Sequence, residues 1–134
     1  MKITALLLGV VFLTGAFVLE ADANVYRNRR LAGPILHAPG DNTDLSGLKE
    51  VEFRWSPEGD RAGFQYYDFR LYKGSQTYES GLLLKREVPA GVTHTFVDAA
   101  LFENGQTYAW SVRQVGSSRK GRSSFAVFKA IKTS

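Results

Sequence analysis

The chain has no cysteine in its 134 residues, which excludes a disulfide framework and argues against a zinc site. Histidine is nearly as scarce: His37 and His94 fall in separate expected strands, without metal-ligand spacing. Also missing are a G-x-S-x-G nucleophile turn, a G-x-x-x-x-G-K-[ST] phosphate loop, a G-x-G-x-x-G dinucleotide turn, an H-E-x-x-H helix and any N-x-[ST] sequon. Asp41, Asn42 and Asp44 offer oxygens, but not in the alternating acidic spacing of a calcium loop with its closing glutamate, so they read as a solvated turn. A catalytic site needs converging polar groups of tuned proton affinity. None is nominated here: the chain reads as a non-enzyme, with no catalytic residue, cofactor or metal ligand.

What the sequence does have is aromatic rings and turn formers. Nine Phe, six Tyr, two Trp and 13 Gly lean towards a β protein, because rings fit half-buried pleated surfaces and glycine serves tight turns. The balance of 17 Lys and Arg against 13 Asp and Glu gives +4, and 44% hydrophobic residues suit one compact domain.

The N-terminus carries an export signal. Met1-Lys2 precedes an uncharged stretch from Ile3 to Leu19, and Ala21 and Ala23 then supply the small residues of an A-x-A cleavage site. Residues 1–23 are expected to be a signal peptide helix, cleaved after Ala23. The alternative is a retained anchor, since the run reaches the lower edge of a membrane-spanning length. Cleavage removes Lys2, Glu20 and Asp22 and leaves 16 basic against 11 acidic residues, or +5. Residues 24–33, with Arg27, Arg29 and Arg30, read as a flexible leader.

From residue 34 to 134 the pattern is that of short strands. Pro34–Pro39 suits an edge strand and Gly40–Asp44 a loop. Val51, Phe53 and Trp55 alternate with Glu50, Glu52 and Arg54; Tyr67, Phe69 and Leu71 alternate with Tyr66, Asp68, Arg70 and Tyr72. Tyr78–Val88 holds one or two strands bent at Gly81, Pro89–Gly91 turns, and Val92–Val97 alternates again. Ala99–Glu103 is a short connection with room for one helical turn. Tyr108, Trp110 and Val112 mark a central strand, and Ser124–Ile131 closes the domain through Phe125, Val127 and Ile131. About seven strands without a long amphipathic helix predict an all-β, immunoglobulin-like antiparallel β-sandwich.

These residues resemble a fibronectin type III domain, in the divergent form found in exported bacterial proteins. Val51-x-Phe53-x-Trp55-Ser56-Pro57 is similar to that family's second strand, Tyr67-x-Phe69-x-Leu71 to its third, and Ser124-Phe125-x-Val127-Phe128 to its last. Leu101 to Val112 (LFENGQTYAWSV) resembles the corner leading into the sixth strand, where a tyrosine packs its ring inside and bonds its hydroxyl back to upstream backbone. The resemblance makes Asn104-Gly105 part of a crossover between sheets, with Leu101 as corner plug. Read alone, the same dipeptide signals a hairpin pairing 95–103 with 106–114.

The resemblance also implies an interaction module rather than an enzyme. Arg119, Lys120 and Arg122 make the loop before the last strand cationic, and Arg113 lies on the strand feeding it. They suit a protein or an anionic envelope or glycan partner, through an attraction that weakens as salt rises. Tyr66, Tyr72 and Tyr78, read as outward rings, give the alternative of a carbohydrate-recognition module. Nucleic acid is not expected, and a membrane enters only through an uncleaved signal segment. The expected location is periplasm, cell surface or medium.

Overall fold

The computed structural model describes residues 33–57, 64–117 and 120–133. The expected signal segment 1–23, all of the leader but Gly33, and Arg119 lie outside the described residues. Eight strands appear in the order β1 (Ile35–Ala38), β2 (Asp41–Asp44), β3 (Glu50–Ser56), β4 (Phe64–Lys73), β5 (Leu82–Pro89), β6 (His94–Asp98), β7 (Thr107–Gly116) and β8 (Ser124–Ile131). They form two sheets, three-stranded β1-β3-β6 and five-stranded β2-β8-β7-β4-β5.

The first segment departs from expectation. Gly40–Asp44, read as a loop, contains β2, which pairs with β8 in parallel, the one parallel pairing among the described residues. Proline has no N–H to donate to a ladder. At Pro39 the chain therefore leaves the first sheet, and the Trp110 indole N–H donates to the Pro39 carbonyl at 3.1 Å. β2 then resumes pairing on the opposite sheet.

The core is a ring cluster between the sheets. Phe53 of β3 stands at its centre, 5.0 Å from Trp110, 5.2 Å from Phe69 and 5.9 Å from Phe128 between ring centroids. Trp55 packs edge-on to Tyr67 at 5.4 Å. Edge-to-face contacts of this kind add to the area they bury. The alternations of β3 and β4 run as the sequence implies, with Val51, Phe53, Trp55, Tyr67, Phe69 and Leu71 all buried.

β8 is turned the other way from the expected face. Phe128 and Ala130 are buried, whereas Phe125 is 59% exposed. Its register with β7 supplies the reason: Ala126 lies opposite Trp110, and Phe128 opposite Tyr108. A small residue beside the large indole fills the layer without overpacking.

The Asn104-Gly105 ambiguity resolves as a crossover. β6 pairs with β3, and β7 pairs with β4 and β8, so the intervening segment passes between sheets. Gly105 sits at φ +82°, which its missing Cβ permits. A short 3₁₀ turn at Ala99–Leu101 carries Leu101 to the surface and leaves Phe102 as the buried plug. Tyr108 forms the expected corner: its ring is buried and its hydroxyl oxygen accepts the Glu103 N–H at 2.8 Å. Between β4 and β5, a 3₁₀ turn at Glu79–Gly81 brings Gly81 so close to β4 that a Cβ would lie 2.6 Å from the Lys73 carbonyl oxygen.

Candidate functional site

The outer face of the five-stranded sheet gathers most of the residues singled out from the sequence. The β4–β7 register sets Tyr66 opposite Val115, Asp68 opposite Arg113, and Tyr72 opposite Ala109. Lys120 bridges to Val115 and so joins the same face, held there by the Gly121 N–H donating to the Gln114 carbonyl at 2.7 Å. Lys120 and Arg122 are exposed.

Two of these residues take roles other than those expected. Arg113 is not a free cation; its Nη2 lies 3.4 Å from Asp68 Oδ2. Tyr72, read as an outward ring, is 4% exposed, because neighbouring strands on both sides of β4 wall it in. Tyr66 is half-buried. Tyr78, the third ring read as outward, is 67% exposed, so only Tyr72 departs from that reading.

Beside Tyr72 stands a charged clasp. Arg70 grips Asp68 in a two-pronged contact, Nε to Oδ1 and Nη2 to Oδ2, both at 3.1 Å. Its Nη1 reaches Glu79 at 3.4 Å. Asp68 is buried, and the bonds to its carboxylate hold the Arg70 guanidinium above its ordinary proton affinity. Arg113 closes the clasp from β7. Around it, Asp68, Arg70, Arg113 and the hydroxyl-bearing Tyr72, Thr77, Ser111 and Ser123 line a groove of about 120 Å³, with Phe125 on its rim. That volume is well below the roughly 300 Å³ of a small-molecule pocket. It admits one ionised or hydroxylated group rather than a whole ligand.

Sequence reading missed Asp68, Arg70, Ser111, Ser123 and Phe125. Opposite charges at Asp68 and Arg70, two apart on one strand, were the available signal. The third member, Arg113, needs the register. A wider depression of about 480 Å³ lies where β4 turns towards β5, lined by Tyr78, Leu82 and Leu83 with Lys73 as its single ionisable charge. That lining offers surface rather than chemistry.

The histidines stay apart. His37 on β1 hydrogen-bonds the Ser56 hydroxyl, and His94 stands exposed on β6 against Phe96. Among the described residues no group of three His, Cys, Asp or Glu is arranged to hold a metal. Asp44 is occupied locally: its carboxylate accepts the Ser46 N–H at 2.9 Å, and bonds to Ser46 keep it below the usual carboxylate range. No described helix is long and apolar enough to cross a membrane.

No protein-family model matches the chain, and no curated protein sequence does. Solved structures do resemble it. A computationally redesigned β-sandwich protein superposes on 78% of this chain and 99% of its own, with a TM-score of 0.58 at 10% identity. The fibronectin(III)-like modules of CbhA from Clostridium thermocellum cover 75% of this chain and 99% of their own, with a TM-score of 0.54 at 11% identity. At such identities the likeness is one of fold. Two facing sheets, a ring core around Phe53 and a tyrosine corner at Tyr108 agree with it: the described residues adopt a fibronectin type III-like sandwich fold.

Proposed function

We propose that the chain is an exported, non-enzymatic interaction module that meets a protein or an anionic envelope or glycan partner on the outer face of its five-stranded sheet. The observation carrying this reading is the juxtaposition of Phe125, 59% exposed, with the Asp68–Arg70–Arg113 groove. An exposed ring beside donors already fixed in place suits a partner that inserts an acidic or hydroxylated group and rests an apolar one beside it. Arg113 donates one of its five N–H groups to Asp68, which leaves donors for such a group. Lys120 adds attraction at longer range.

The non-enzymatic part is supported by the chemistry at hand. Burial accounts for the raised proton affinity of Tyr108, a turn bond for the lowered one of Asp44, and the ion pair with Asp68 for the raised one of Arg70. Export rests on the sequence of residues 1–23 and is tested separately, by intact mass after cell fractionation.

Co-sedimentation of the purified chain with envelope fragments of its own producing cells tests the binding reading. Arg113→Ala and Phe125→Ala are expected to reduce the bound fraction several-fold, and Lys120→Ser to reduce it only at low salt. Equal sedimentation of all variants at every salt concentration overturns the reading.

A further inference from the structure

The sandwich leaves strand edges, and they are not equivalent. β1 and β2 have four residues each, and β6 has five. At β6 the Phe96 carbonyl already accepts from Arg86 Nη1 at 2.8 Å. β5, with eight residues, pairs with β4 on one side, and among the described residues nothing pairs with its other side. An unpaired strand of this length is a template for another strand.

We propose that β5 pairs with β5 of a second copy of this chain, antiparallel about a two-fold axis through Arg86, so that two five-stranded sheets become one. The inference does not depend on the ligand reading.

Charge supplies the first argument. Within the monomer the β4–β5 register sets Lys85 opposite Arg70 and Glu87 opposite Asp68. Like charges directly opposite are unfavourable. Arg70 and Asp68 are matched with one another and with Arg113 and Glu79, while the outer flank of β5 offers Lys85 and Glu87 to an incoming strand. Both are exposed. Counter-charges arriving from that flank offset the repulsion across the β4 side.

Register supplies the second. A continuous outer face requires opposed residues to project on the same side, so the axis must pass through a residue rather than between two. An axis at Lys85 sets Lys85 against itself, and one at Glu87 sets Glu87 against itself. An axis at Arg86 sets Lys85 against Glu87 twice, Leu84 against Val88, and Leu83 against Pro89. Of these three central registers it alone matches opposite charges, and it matches apolar residues as well. Arg86 meets its mate at the axis, but its guanidinium is drawn towards β6, where Nη1 also donates to Thr95 Oγ1 at 2.7 Å.

Analytical ultracentrifugation of the full chain is the test, with Lys85→Glu, Glu87→Lys and the double exchange beside the wild type. The wild type is expected to show a concentration-dependent dimer. Each single reversal sets like charges together at two places and is expected to weaken the dimer about tenfold or more, and the double exchange restores it. Both sites are exposed, so circular dichroism is expected to find every variant folded. Association through the N-terminal apolar segment is common to all four proteins and leaves their differences intact.

A register test accompanies it. Because the chain has no cysteine, Lys85→Cys mixed with Glu87→Cys is expected to cross-link more than either alone. A monomer at every concentration, a dimer indifferent to the single reversals, a double exchange that fails to restore, or cross-linking without preference for the mixture each overturns the proposal.

Discussion

Among single residues, the two rings that close the core at its ends carry different kinds of energy. Trp55 is buried against Tyr67 and Phe69, and its indole N–H has no acceptor among the described residues. Its contribution is therefore packing, and Trp55→Ala is expected to cost about 3–5 kcal/mol in a denaturant titration, with Trp55→Phe costing less. Tyr108 differs because its hydroxyl serves the Glu103 N–H. Tyr108→Phe leaves that N–H without its acceptor and is expected to cost about 1–3 kcal/mol. Burial pushes the Tyr108 phenol above its ordinary value of 10.0, so its folded form resists ionisation. Stability from this source is fully present below pH 10 and is lost as pH rises through the folded value. The gap between wild type and Tyr108→Phe should therefore narrow above that pH, as read by urea titration on each side of it.

Between elements, the Asp68 clasp joins β4 to β7 across their shared outer face. With Asp68 buried and the arginine side chains about a quarter exposed, its worth lies between a surface ion pair, below about 1 kcal/mol, and a fully buried one broken at about 3–5. Asp68→Ala is expected to cost about 2 kcal/mol, since it also leaves two guanidiniums facing each other. Adding Arg113→Ala should cost less than its effect alone, a non-additivity that a double-mutant cycle by thermal denaturation measures. The clasp also marks the limit of what the sequence made legible. β3, β4 and β7 could be read by alternation because each has one aromatic and one polar face. β8 could not: Phe125 and Val127 compete with Ala126, Phe128 and Ala130, and only the indole opposite Ala126 decides. β2 (DNTD) has turn chemistry and is a strand only because β8 lies beside it. Asp68 was visible in the sequence, but its meeting with Arg113 depends on a register set by neighbouring strands.

On the scale of the whole domain, a sandwich without disulfides must tie its two sheets together by other means. Along one flank the chain itself crosses, from β1 through Pro39 to β2, pinned by the Trp110 indole. At the end near the tyrosine corner, Lys132 Nζ donates to the Ala99 and Phe102 carbonyls, both at 3.0 Å, and the Lys132 N–H donates to Asn104 Oδ1 at 2.8 Å. Along the other flank β5 and β6 belong to different sheets, and the Arg86 guanidinium spans them. That one side chain ties the sheets and also occupies an edge carbonyl of β6. Arg86→Ala is expected to cost about 1.5–3 kcal/mol, the range for hydrogen bonds to a charged group. It should also leave β6 open to edge pairing and raise aggregation on heating. Amide exchange along residues 94–98, compared between wild type and variant, separates the two effects. Faster exchange there with unchanged exchange in β7 identifies loss of the inter-sheet tie, whereas uniform acceleration across both sheets means that Arg86 contributes only to global stability.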